Sequence, residues 1–237
     1  MSHPRWKSFS VALLRGCLLF ALLLATASAQ RGDHSIALHA NLNDETRVFL
    51  NPSSPDPVLR HQSQTLGSAF SAALSWRSRA WSSISIDIRG EYVALDNVTP
   101  DPVGTPMLNG LRVVLIEGSA LFALPFSTAR FEMYVGGGIG VSAGQRRYAV
   151  AEVASQSVSS TPALGIQVIL GAEYLLFGAM GMRLELLFRD PQMSVENRFS
   201  RSSVVSHGVT YPLETSPFRS NLNLNGNVYS LGLFYSF

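Results

Sequence analysis

Charged residues recur at spacings of two through the middle of this chain: Asp87, Arg89 and Glu91, then Arg130 and Glu132, then Arg183 and Glu185. Arg77, Glu117, Glu173 and Arg189 stand in segments that are otherwise largely apolar. Side chains alternate faces along a strand, so a spacing of two gathers such groups on one face. Five guanidinium groups and six carboxylates on one enclosed face must pair, because an isolated buried charge is very costly. Two outcomes stay open. The charges form a static network that plugs an interior, or they line a narrow polar pore in which pairs exchange partners.

Other chemistry finds less support. Nucleophilic catalysis needs a nucleophile and a base within hydrogen-bond reach. Ser206-His207 with Glu214 offers those residue types, but adjacent residues of a strand point to opposite faces. Gly136-Gly-Gly-Ile-Gly140 lacks the Lys-Ser/Thr and the helix that a phosphate-binding loop requires. Glycines there make room for bulky neighbours such as Tyr134. The histidines, His34 and His39 among them, are dispersed without metal-ligand spacing. No catalytic residue, cofactor or metal ion is therefore expected, and the chain reads as a non-enzyme.

The elements that hold the charges are strands. Ile84, Ile86, Ile88 and Tyr92 alternate with Ser83, Ser85, Asp87, Arg89 and Glu91, which gives one apolar and one charged face. The same alternation marks eight segments, about 35–42, 65–77, 82–95, 110–124, 129–143, 163–175, 180–189 and the C-terminus. In the last, Tyr229, Leu231, Leu233, Tyr235 and Phe237 make one wholly apolar face. Intervening segments alternate between long polar ones, about 43–64, 96–108, 144–161 and 190–221, and tight turns. Prolines fall in these connections or beside a strand start, as the ladder requires. The pattern predicts an all-β, eight-stranded antiparallel up-and-down transmembrane barrel, with long loops extracellular and short turns periplasmic. A soluble barrel of the lipocalin kind would invert the two faces.

Composition agrees. Charged residues are 14% of the chain and hydrophobic ones 46%. Arg5 and Lys7, the apolar run 16–25 and Ala27-Ser28-Ala29 read as a cleaved secretory signal over residues 1–29, leaving residues 30–237 as the barrel. The signal holds Cys17, the single cysteine, so neither disulfide nor thiolate chemistry is expected beyond it. It also holds Arg15, and removing its three basic residues from 18 leaves 15, all arginine, against 16 acidic. That balance implies no nucleic-acid partner.

The order of Phe131-Glu-Met-Tyr-Val-Gly-Gly-Gly-Ile-Gly140, Gly171-Ala-Glu-Tyr174, Met182-Arg-Leu-Glu-Leu-Leu-Phe-Arg189 and the aromatic C-terminus resembles the small outer-membrane barrels that include the OmpA barrel domain, OmpX, Ail and the opacity proteins. The resemblance spans essentially all of residues 30–237. It implies integral residence in the outer membrane of a Gram-negative-type bacterium. It also implies that the C-terminal strand is read by the barrel-assembly machinery; unlike full-length OmpA-type proteins the chain stops at the barrel, so no periplasmic peptidoglycan-binding domain is expected. Trp76, Trp81, Tyr92 and Tyr174 read as interfacial girdle residues. Arginines 146, 147, 198, 201 and 219 fall in the loops, where they can meet lipopolysaccharide phosphates or a surface ligand. The leading functional expectation is a surface-binding or envelope-stabilising scaffold. A small-solute or ion pore is the alternative, and an outer-leaflet lipid-modifying enzyme a more distant one.

Overall fold

The computed structural model describes residues 32–224 and 226–237. The expected signal segment, 1–29, lies outside the described residues. Among those described, no helix is long and apolar enough to cross a membrane. The one short helix, α1 (Pro57–Arg60), is capped by Asp56, whose Oδ1 accepts from Val58 N.

Among the described residues there are fourteen strands, numbered in chain order, with α1 between the first two. They are β1 (His34–Phe49), β2 (Ser63–Arg79), β3 (Ile84–Pro100), β4 (Pro106–Ala123), β5 (Phe131–Val150), β6 (Val153–Ala154), β7 (Gln156–Thr161), β8 (Ala163–Phe177), β9 (Met180–Arg189), β10 (Gln192–Arg198), β11 (Ser203–Ser206), β12 (Val209–Pro212), β13 (Phe218–Asn223) and β14 (Gly226–Ser236). Eight of them form a closed antiparallel barrel in the order β14-β9-β8-β5-β4-β3-β2-β1, sealed where β1 pairs with β14 from Ser35↔Ser236 to Asn43↔Val228. Closure leaves no free edge over the membrane-facing height, which lipid requires. Outward positions carry Leu38, Phe70, Ile116, Ile139, Leu164 and Leu184, all exposed. The charges point in. This is the inverse of a soluble barrel.

The strands outrun the expected ones at the end opposite the tight turns. β1 continues through Thr46 and Val48, β3 and β4 meet at Pro100↔Pro106, and β5 runs to Val150. Much of the expected loops 43–64, 96–108, 144–161 and 190–221 is therefore strand, and the last of these contains β10 to β13. The cause is physical. Above the apolar band both faces of a strand can be polar, so the in–out alternation that marks a membrane strand fades while the ladder continues. β13 takes over from β14 beside β1, at Arg47↔Asn223 to Phe49↔Asn221, and carries β10 and β7 with it. The alternation that turns Phe70, Leu74 and Trp76 outward would carry Leu66 outward as well, yet Leu66 lies inside. An irregularity at Thr46↔Gly67, with Gly67 at φ 96°, shifts the alternation of β2 by one.

The interior is packed in layers. Ala37, Leu175 and Phe234 cluster toward the tight-turn end. A charged layer follows, flanked by Leu121, Tyr134, Ile169, Leu187 and Val228. A larger apolar cluster around Val48, Leu111, Leu115, Met193 and Leu222 lies beyond it. Outermost, Phe199, Val204 and Leu213 join Val150 and Val153 in a cap, where Phe199 stacks on Phe218 with ring centroids 5.9 Å apart.

Candidate functional site

Glu185 is the hub of the charged layer. Its Oε1 accepts from Arg77 Nη2 at 3.0 Å and from Tyr134 Oη at 2.6 Å, and its Oε2 pairs with Arg89. Arg77 spreads further, donating through Nε to Asp87 at 3.0 Å and through Nη1 to Glu173 at 2.5 Å. Arg183 closes the group with Nε 2.8 Å from Glu173 and also donates to Ser75 and Ser35. A second group sits further from the tight turns. Arg189 holds Glu91 through Nη1 at 2.8 Å and Nη2 at 3.0 Å, with Glu117 3.5 Å away and Asn43 alongside. Alternation on β1, β2, β3, β4, β5, β8 and β9 turns all these side chains inward, and every one of them is buried.

Ten of the eleven expected network residues thus lie inside the barrel. Arg130 does not. The ladder of β5 begins at Phe131, so Arg130 stands exposed in the preceding turn, where parity no longer fixes a face. Its place at that mouth is taken by Arg79, which donates to Glu132 at 3.2 Å. Two members escaped the reading of residue types. His39 bridges Ser75 at 2.9 Å and Ser230 at 3.0 Å, and its Nδ1 lies 3.8 Å from Glu185. Tyr134 adds its phenol and lays its ring under the Arg77 guanidinium at 4.3 Å. Inward parity on β1 and β5 was the signal for both. Their partners could not be read, because they lie on strands remote in sequence.

The network leaves little room. A cavity of about 20 Å³ at the tight-turn mouth, lined among others by His34, Arg77, Arg79 and Glu132, holds about one water. An eight-stranded barrel is just wide enough for side chains to fill it, and here they do.

The other sequence candidates fall apart or relocate. Ser206 Oγ lies 3.1 Å from His207 Nδ1, but the pair sits exposed at the tip of the β11–β12 hairpin, with His207 at φ 49° and Gly208 at φ 79°. Glu214 instead accepts from Ser216 N, so it does not orient the imidazole. Arg146 is not a loop residue. It points into the barrel from β5, donates to Asn109 Oδ1 at 3.0 Å and Ser220 Oγ at 2.6 Å, and stacks on Tyr148. Burial brings its guanidinium down to about 10. Arg219 pairs with Glu196 on the surface, whereas Arg198 and Arg201 are exposed. The aromatic face of Tyr229, Leu231, Leu233 and Tyr235 points out from β14, with Phe237 just beyond it, bonded to His34 through both backbone groups.

No family model and no curated protein matches this sequence. Solved structures do resemble it. The outer membrane protein OprG from Pseudomonas aeruginosa is 11% identical, with a TM-score of 0.63 over 88% of this chain and 97% of that one. Neisserial surface protein A is 13% identical, with a TM-score of 0.45 over 87% and 98%. Ail, the attachment invasion locus protein of Yersinia pestis, is 9% identical, with a TM-score of 0.44 over 87% and 99%. The likeness to OprG establishes the fold, an outer-membrane type of barrel.

Proposed function

We propose that this chain is a non-enzymatic integral outer-membrane barrel that serves as a rigid scaffold. On this reading the barrel presents its strand extensions and capped outer end as a surface-binding or envelope-stabilising face. The observation that carries the reading is the Glu185-centred ion network, which fills the lumen below an apolar cluster around Leu111, Leu115, Met193 and Leu222. Guanidinium and carboxylate groups paired in a packed interior do not exchange partners freely, because each exchange leaves a charge exposed to a low dielectric. Binding residues concentrate where a rigid frame ends in loops. Outer-membrane lipid and lipopolysaccharide are the partners expected along the wall, a surface ligand at the outer end, and the barrel-assembly machinery at β14.

The test is conductance. Refolded residues 30–237 in a planar bilayer, with heat-dependent gel mobility to verify folding, are expected to give a folded and electrically silent barrel. Reproducible steps that change in Glu132→Ala would overturn the scaffold and make the protein a pore.

A further inference from the structure

The outer wall carries a second ionic group, at the level where the apolar band ends. Three cross-strand rows define it. Tyr92, Val114 and Ala143 are register partners across β3, β4 and β5 and form the last apolar row. One step higher come Ala94, Arg112 and Gln145, and above them Asp96, Gly110 and Arg147. Outward parity is the same in all three rows. Arg112 takes the Asp96 carboxylate with both terminal nitrogens, Nη1 to Oδ1 at 3.0 Å and Nη2 to Oδ2 at 2.6 Å. Arg147 reaches the same Oδ2 from the far strand. Gly110 lies between them, and a Cβ there would strike Asp96 Oδ1, so the missing side chain is what lets Arg147 cross.

Two guanidinium groups therefore share one carboxylate, and the cluster keeps a net charge of +1. The Asp96 carboxyl is held below the usual carboxylate range, chiefly by hydrogen bonds from Arg112 and further by the charge of Arg147. Its neutralising charge is fully spent. Directly beneath, a groove of about 500 Å³ opens in the wall between β5 and β7, lined by Tyr92, Arg112, Val114, Gln145 and Ser157 among others. Its floor continues into the band through Val141 and Leu164, the latter 81% exposed. A cationic, hydroxyl- and amide-bearing groove above a bare apolar column matches one kind of molecule, an anionic head joined to hydrocarbon chains.

We propose that this groove binds the phosphate-bearing headgroup of a single lipid, with Arg112 and Arg147 on the phosphate and its acyl chains along Val114, Val141 and Leu164. Gln145 and Ser157 supply donors for neighbouring headgroup oxygens. Fork-shaped guanidinium groups suit phosphate oxygens. The inference rests on the reading of the chain as an integral barrel, because only then does a lipid stand against this wall. A soluble phosphate compound would gain nothing from the apolar column.

The experiment compares wild type, the Arg112→Gln/Arg147→Gln pair, Arg147→Gln alone and Arg47→Gln. Each is refolded into phosphatidylethanolamine vesicles that contain a minor fraction of lipid A, extracted in mild detergent and weighed by native mass spectrometry. Arg47 pairs with Glu45 on β1, well away from the groove, and serves as the control. Wild type and the control are expected to retain one lipid A molecule, the double variant about tenfold less, and Arg147→Gln an intermediate share. Arg147 is exposed, so its single substitution keeps the test alive should the double variant not fold. Equal retention by all folded variants would overturn the groove and leave the barrel reading intact. Displacement of lipid A by inorganic phosphate at comparable concentration would overturn it in favour of a free-anion site. Wild type without a heat-dependent gel shift would overturn the barrel reading itself.

Discussion

The ring of Tyr134 lies across the α-carbon of Gly171, its register partner on β8, and so places the phenol 2.6 Å from Glu185 Oε1. A Cβ at position 171 would meet the ring closer than real Cβ atoms approach anything. Gly171→Ala is thus expected to push Tyr134 off Glu185 and to cost about 1–3 kcal/mol, as overpacked interiors do. Denaturant unfolding of the refolded barrel measures this. Gly118→Ala is the control, since a Cβ there meets nothing within 4 Å, and its midpoint should hold. Equal shifts in the two variants would refute the account.

Glu185→Gln takes away the carboxylate shared by Arg77 and Arg89. Removing one partner of a buried ion pair costs about 3–5 kcal/mol, because the charge left behind stays buried. Tyr134→Phe removes the hydrogen bond donated to Glu185, about 1.5–3 kcal/mol, together with the longer one accepted from Arg77 Nη2 at 3.3 Å. The midpoint order should be wild type, Tyr134→Phe, Glu185→Gln. A Glu185→Gln barrel as stable as wild type would show that the network is not what fills the interior.

At the outer end, Asp101 ties the β3–β4 turn to the β11–β12 hairpin. Its Oδ1 accepts from Thr105 N at 2.8 Å and Val103 N at 3.0 Å, and its Oδ2 from the Tyr211 hydroxyl. The Tyr211 bond, joined by those amides, holds the carboxyl below its ordinary value. A carboxyl depressed in the folded state stabilises above its unfolded value, about 3.9, and loses that contribution as pH falls through the lower folded one. The protection factors of the Val103 and Thr105 amides, taken against intrinsic exchange at each pH, should therefore fall several-fold in acid below about pH 4, and Tyr211→Phe should weaken this protection already at neutral pH. Protection unchanged in acid would count against the tether.

His207 is not oriented by Glu214 and sits in a left-handed turn. His207→Asn should leave folding and any lipid products unchanged, because asparagine accepts that conformation readily. Loss of a defined lipid product in this variant would revive the enzyme reading.

Which parts of this molecule could be read in advance follows from distance along the chain. Asp87, Arg89 and Glu91 announce a shared face because period two is local, and the barrel follows from repeating that signal. Arg130 misled because parity holds only within a ladder, and the ladder starts one residue later. The upper strands escaped because their outer face is wet, so Arg47 and Asp96 looked like loop residues. The bridge from Arg112 through Asp96 to Arg147 was out of reach. It depends on a register that pairs position 96 with 110 and 110 with 147, and on a glycine in the middle.

The pairing of β1 with β14 has a kinetic consequence. Arg77 meets Glu185, Arg183 meets Ser35, and Arg189 meets Asn43 only after strands from the two halves of the chain are brought round the barrel. A half-built sheet would leave guanidinium groups facing hydrocarbon with no counter-charge, at a cost of several kcal/mol for each. Such an intermediate is expelled from the bilayer rather than trapped in it. Insertion and ring closure must then happen as one event, and a seam displaced by a single residue, which would set the inward faces of β1 and β14 out of phase, is rejected in the same step.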